Sequence, residues 1–263
     1  MIALNKEEMP VKVKLISVTP NALDLLLGTK STRMRGQDVS TMTEEEKREH
    51  WKYMLNTIRS PFEFVDYIFQ IEGVSKNFTH QFVRTRTGAY QQETSRALDM
   101  SANQTVMPDN FESDPELQRL FFDAIADAST SYQMLLEAGA QLQDARSILP
   151  SNMETKITAK FNLRTLSDMS SNRLCTRTAG EYQTVFREMR RLVLSEHPWA
   201  ESLLQPSCIG RGQCAFPRHG KENCVFWRPW MDLEAEKEAL RITFWGSEMV
   251  QNNPVAANGT SKG

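Results

Sequence analysis

The sequence predicts an α+β fold, a mixed or antiparallel sheet flanked by helices. Two observations point there. Short β-branched or alternating segments are scattered among longer helical patterns, without the strict strand–helix alternation of a doubly wound sheet. No internal repeat divides the chain, and no linker rich in Pro, Gly or Ser does so either.

The elements follow in chain order. Val11 to Val18 (VKVKLISV) is apolar and β-branched and reads as a strand. Thr19-Pro20-Asn21 ends it, and Asn21 is positioned to cap a short helix through Leu27. Gly28 to Met42 is polar, contains Arg33 and Arg35, and reads as a loop. Thr43-x-x-Glu46 is a capping box, and its helix carries Trp51, Met54, Leu55 and Ile58 at helical spacing until Ser60-Pro61. Phe64 to Val74 is strand-like and is closed by Gly73. Ser75 to Val83 reads as a helix leading into an arginine-rich stretch, Arg84 to Arg96.

The longest helical pattern is Asp114 to Ala138, with Leu117, Leu120, Phe121, Ile125 and Leu135 on its apolar stripe and Gly139 as terminator. Leu142 to Leu149 is a shorter helix stopped by Pro150. Thr155 to Phe161 alternates as a strand should. Leu163 to Asn172, Ala179 to Leu194 and Met231 to Phe244 read as helices. The expected organisation is a single domain over residues 1–250, with a Cys-containing extension at about 205–250 and a flexible tail at 251–263.

Composition narrows the function. With 263 residues, 40% of them hydrophobic and 24% charged, the chain can bury a core. Lys+Arg 31 against Asp+Glu 33 leaves a net charge of −2, which disfavours bulk nucleic-acid or membrane-surface binding. Any anion site must come from local arginines. No apolar run is long enough to span a bilayer, the first residues lack the pattern of a secretory signal, and four cysteines are too few for a disulfide scaffold; the expectation is a cytoplasmic protein.

Three clusters carry the chemistry. His80 to Arg96 holds three arginines against one glutamate, together with amides and hydroxyls; guanidinium forks suit phosphate and carboxylate oxygens. Asn162, Arg164 and Arg173 form the second. Nine residues separate the two arginines, which places them about 180° apart on an ideal helix, so one face cannot present both to one small ligand. Arg146, ahead of Pro150, is the third; a helix C-terminus favours a cation for dipole reasons alone. The alternative reading of each cluster is a solvated surface. Cys208, Cys214, His219 and Cys224 lack the close Cys-x2-4-Cys spacing of a zinc knuckle, so no metal is expected.

Taken together, these clusters resemble the flavin-dependent thymidylate synthases. That family's signature is Arg-His-Arg-x-x-Ser, a polar pair, then Ser-x-Arg; here the register reads Arg84-Thr85-Arg86-Thr87-Gly88-Ala89-Tyr90-Gln91-Gln92-Glu93-Thr94-Ser95-Arg96. Pro61-Phe62-Glu63, Gly73-Val74-Ser75, His80-Gln81-x-Val83-Arg84, Ala145-Arg146-x-x-Leu149-Pro150 and Asn162-x-Arg164 with Arg173 are also similar, so the likeness runs from about Val11 to about Cys224. Thr85 stands in place of the signature's histidine, Ala89 and Thr94 in place of its serines, and Ser95 in place of its Gly or Gln. Ile58 occupies a position where the family often has histidine.

The resemblance implies reductive methylation of dUMP to dTMP with FAD, NADPH and 5,10-methylenetetrahydrofolate, without a cysteine nucleophile. It implies nucleotide-site roles for Gln81, Arg84, Gln92, Thr94, Ser95, Arg96, Arg146 and Arg173. Arg96 and Arg146 would hold the phosphate, Thr94 would lie close to the base, and Arg173 would face the pyrimidine carbonyl. It implies flavin-site roles for Ser60, Glu63, Arg84, Thr85, Arg86, Thr87, Gln91, Asn162, Arg164 and Asp168, and a homotetramer whose sites are shared between chains. The altered serines motivate an alternative, a C5 methylase or hydroxymethylase of dCMP or dUMP. A reading of another class is a non-catalytic nucleotide- or RNA-binding protein.

Overall fold

The computed structural model describes residues 11–30, 38–101, 104–178, 180–210 and 224. Arg33, Arg35, Cys214, His219, Trp227, Trp230, the helix expected at Met231 to Phe244 and the tail lie outside the described residues.

Four strands form one antiparallel sheet in the order β1-β2-β4-β3: β1 (Lys12–Val18), β2 (Asp66–Ser75), β4 (Glu154–Asn162) and β3 (Ala89–Gln92). Alternation gives the sheet two unlike faces. Tyr67, Phe69 and Ile71 of β2, with Ile157, Ala159 and Phe161 of β4, point into the core and are fully buried. Lys156–Glu72 (2.7 Å) and Lys160–Asp66 (3.0 Å) pair cross-strand on the other face. The inner face is covered by α3 (Lys76–Phe82), α6 (Leu163–Arg173) and α7 (Gly180–Glu196).

Local chemistry explains most element ends. In α2 (Glu44–Leu55), Thr43 Oγ1 accepts from Glu46 N and the Glu46 carboxylate accepts from Thr43 N, so the capping box forms. Trp51 on this helix is buried and donates from Nε1 to Trp199 O at 3.0 Å. Asp114 caps α4 (Pro115–Glu137) by accepting from Glu116 N and Leu117 N. Gly139, at φ +90°, ends α4 in a Schellman motif: its N–H bonds Leu136 O and that of Ala140 bonds Leu135 O.

Several expectations are corrected. Asn21 precedes α1 (Ala22–Gly28) but sits in the left-handed region at φ 50° and makes no side-chain cap, because a turn between β1 and α1 takes up its backbone. Helix α2 stops at Leu55, leaving Ile58 71% exposed. Phe64, expected to open a strand, instead ends a 3-10 turn at Ser60–Phe64, and β2 begins at Asp66. Gly73 lies inside β2, at φ 72°, where the register against β4 shifts between Ile71 and Val74; it makes a bulge that turns Ser75 inward instead of closing the strand. Leu142 to Leu149 divides into a single α turn, α5 (Leu142–Ala145), and a 3-10 turn at Arg146–Ile148.

The strand β3 emerges within the arginine-rich stretch, to which the sequence assigns no element. On α4 the buried side is Ile125, Ser129 and Tyr132, of which Ile125 and Tyr132 pack with Met100, Ala145 and Met153. Leu120 and Leu135, expected on the buried stripe, are 50% and 37% exposed because no described element covers them.

Candidate functional site

The site is built where the signature window wraps the inner sheet edge and meets both ends of α6. Helix α3 delivers the chain to Arg84; a turn closed by Gly88 N to Thr85 O (3.0 Å) then reverses it into β3. Tyr90 Oη donates to Thr85 O at 2.6 Å and to Phe82 O at 3.2 Å, which ties the turn down from below. Burial pushes the Tyr90 phenol well above its ordinary pKa, so it remains a donor.

At its N-terminus α6 is capped by Asn162, whose Oδ1 accepts from Thr165 N at 2.8 Å. Thr165 Oγ1 reaches across to Thr87 Oγ1 (3.0 Å), joining the helix to the signature turn. Arg164, one residue into the helix, forms an ion pair with Glu63 of the 3-10 turn. Asp168, one turn on, lies 3.8 Å from Arg59. The flavin-site candidates Glu63, Thr87, Asn162, Arg164 and Asp168 therefore gather around the first half of α6. Ser60 stands on the same 3-10 turn as Glu63 and is exposed.

At the opposite end of α6, Arg173 lies with its guanidinium carbon 4.1 Å from the centroid of the Tyr182 ring on α7. Thr85 and Arg173 both neighbour the Tyr182 hydroxyl. The half-turn relation between Arg164 and Arg173 holds: one faces the Glu63 turn, the other faces α7.

A third grouping involves the phosphate candidates. Arg146 donates from Nη1 to Ser95 Oγ at 3.3 Å and from Nε to Gln143 O at 3.1 Å. Lys76 stands near Arg146 and Glu93; burial, and then the Arg146 charge, push its ammonium below the ordinary lysine range. Gln92, on the inner side of β3, donates to Thr155 Oγ1 at 3.3 Å, while Gln91 alternates to the other, exposed side. Thr94 Oγ1 accepts from Arg96 N at 3.1 Å. The side chains of Gln81, Arg84, Arg86, Gln91 and Arg96 are exposed and bond to no described side chain, so the fold does not draw them into these groupings.

Residues that sequence reasoning missed are Thr165, Lys76, Glu181 and Tyr182. Only Lys76 had a legible signal, a cation four residues before His80-Gln81; the others sit at ordinary helical positions.

The family model described as "Thymidylate synthase complementing protein" matches residues 14–199. The chain belongs to this family. The match covers all three groupings and ends before the cysteine-containing segment. The flavin-dependent thymidylate synthase of Clostridium tetani is 30% identical over 227 residues, spanning 78% of this chain and 91% of that protein. The enzyme of the same name from Pyrococcus abyssi is 32% identical over 165 residues, 59% of this chain and 67% of the relative. That of Pyrococcus furiosus is 28% identical over 219 residues, covering 78% and 89%.

Among the described residues no group of His, Cys, Asp and Glu is arranged to hold a metal, and no helix is long and apolar enough to cross a membrane. Cys208 and Cys224 are half-buried; Cys214 and His219 lie outside the described residues.

Proposed function

We propose that the protein is a flavin-dependent thymidylate synthase, which reductively methylates dUMP at C5 to give dTMP using FAD, NADPH and 5,10-methylenetetrahydrofolate. The observation that carries this reading is the placing of Arg164 and Arg173 at opposite ends of α6, each linked through a neighbour to a different part of the signature turn: Arg164 precedes Thr165, whose hydroxyl bonds Thr87, and Arg173 shares the Tyr182 hydroxyl with Thr85. A helix presented in this way suits two ligands lying side by side.

The donor chemistry fits a flavin dinucleotide. Arg84 and Arg86 are exposed and suit a diphosphate. Asn162 spends its carbonyl oxygen on the helix cap, which leaves its amide NH2 as a donor, and the Thr87 hydroxyl is adjacent. Bound flavin, once reduced, supplies the hydride that completes the methyl group. The chain's part is binding, orientation and charge stabilisation. Arg146 and Ser95 form a phosphate cradle, with Arg96 as a further cation. Arg173 faces the pyrimidine carbonyl and stabilises negative charge as C5 is activated, with Thr94 near the base.

We read the assembly as a homotetramer with shared sites. Support comes from Leu120, Leu135 and Met134, apolar and exposed along α4, and from the Arg84, Arg86 and Arg96 side chains, which bond to no described side chain.

The test uses the FAD-loaded protein. Tritium release from C5-labelled dUMP, with methylenetetrahydrofolate and NADPH present, is the expected result. Parallel assays with labelled dCMP address the substitutions at Ala89 and Thr94. Release from neither substrate overturns the reading.

A further inference from the structure

Arg173 makes no ion pair among the described residues. Its guanidinium carbon instead lies 4.1 Å from the centre of an aromatic ring. That ring, Tyr182, is only 4% exposed. It is held edge-on by Phe78 (5.1 Å) and Phe82 (5.8 Å) of α3. Its chain neighbour Glu181 binds the backbone and hydroxyl of Ser75, which fixes the first turn of α7 to the β2–α3 junction. Tyr182 is thus a rigid platform.

The Tyr182 hydroxyl makes no well-aligned hydrogen bond among the described residues, although Thr85 and Arg173 lie beside it. A buried hydroxyl without a well-aligned bond adds little stability over a phenylalanine. What an aromatic residue contributes here is its electron-rich face, and the group on that face is a guanidinium. A long side chain such as Arg173 otherwise samples many rotamers, and fixing it during ligand binding weakens affinity.

Building on the reading of Arg173 given above, we infer that Tyr182 is a positioning residue: it orients the Arg173 guanidinium, before the nucleotide arrives, toward the pyrimidine monophosphate. The ring acts through Arg173 and need not touch the substrate.

The experiment measures dUMP affinity of the FAD-loaded protein from the perturbation of the flavin spectrum. The variants are Tyr182→Leu, Tyr182→Phe, Arg173→Gln and the double variant Tyr182→Leu/Arg173→Gln. Tyr182→Leu is expected to weaken dUMP binding about tenfold, the scale of a desolvated cation–π contact. Tyr182→Phe should recover most of that loss, and the double variant should be no weaker than Arg173→Gln alone. Where the leucine variant fails to fold, Tyr182→Met supplies apolar bulk without an aromatic face and carries the same expectation.

Wild-type affinity in Tyr182→Leu, additive losses in the double variant, or a Tyr182→Phe as weak as Tyr182→Leu would each overturn the inference while leaving the role of Arg173 intact. Unchanged dUMP affinity in Arg173→Gln would instead remove the reading of Arg173 itself, and the inference with it.

Discussion

Glu181 accepts two hydrogen bonds from Ser75, one from the backbone N and one from Oγ, each at 2.6 Å across 106 residues of chain. Ser75 Oγ also accepts from Phe78 N at 2.9 Å and so caps α3. One carboxylate therefore joins the end of β2, the start of α3 and the start of α7, and α3 leads to Gln81 and Arg84. Glu181→Ala leaves the 3%-exposed Ser75 without an acceptor for its N–H, which should cost about 1–3 kcal/mol in urea unfolding. Glu181→Gln should cost less, because its amide still accepts one of the two bonds. Burial raises the Glu181 pKa above its ordinary 4.5, although the Ser75 bonds oppose the shift. Between 4.5 and the raised value the folded chain holds a proton that the unfolded chain has lost. The group's contribution to stability is therefore fully present below pH 4.5 and falls as pH rises through the raised pKa. Glu181→Gln should lack this slope.

Gly88 is glycine because of what surrounds it. A Cβ there would sit 2.6 Å from Phe161 Cε1 and 2.6 Å from Tyr90 Oη. Neither neighbour can yield: Phe161 is fully buried, and the Tyr90 hydroxyl is held by Thr85 O and Phe82 O. Gly88→Ala should destabilise the protein by about 1–3 kcal/mol by overpacking. It should also displace the Thr85–Thr87 turn, so thermal melting and bound FAD should fall together. A variant that melts as wild type does would contradict the packing account.

What could be read from the chain divides along physical lines. The capping box at Thr43 and Glu46 and the Gly139 stop depend on contacts within a few residues, and both are present. Strand β4 announces itself by alternation. Strand β3 does not, because Ala89–Gln92 is short and polar and becomes a strand only through pairing with β4. Leu120 and Leu135 share an apolar stripe, but periodicity states that a face is apolar, not that anything covers it. The arginines of the site were legible because charges stand out against a core pattern. Tyr182, Glu181 and Thr165 were not: a tyrosine on the buried side of a helix reads as packing, and its contact with Arg173 exists only once α6 and α7 are assembled.

His197 should make the fold sensitive to acid. Its Nδ1 lies 2.8 Å from Tyr67 Oη, and its ring stacks on Trp199 at 5.0 Å. Burial pushes the imidazole pKa below 6.5, against a weaker opposite pull from Glu196. Below pH 6.5 the unfolded chain takes up a proton that the folded chain refuses, so stability is lost as pH falls from 6.5 through the depressed value. The melting temperature should drop between pH 7.5 and pH 5.5, and His197→Gln should show a smaller drop. An equal drop in both proteins would assign the acid sensitivity to other groups.

Arg164 and Glu63 form an ion pair between side chains that are 46% and 51% exposed. Exposed pairs of this kind contribute about 0–1 kcal/mol, because water screens them and two long side chains must be ordered. The pair's place at the Asn162-capped start of α6 therefore matters more for a ligand than for the fold. Arg164→Gln should leave urea unfolding of the apoprotein within about 1 kcal/mol of wild type. The ratio of flavin to protein absorbance after purification should nonetheless fall several-fold, and added FAD should restore it with weakened affinity. Glu63→Gln keeps the size of the side chain but removes the charge that orients the guanidinium, so it should show the same effect in milder form. Full flavin retention in Arg164→Gln, together with a large loss of stability, would make this arginine a structural residue and remove it from the flavin site.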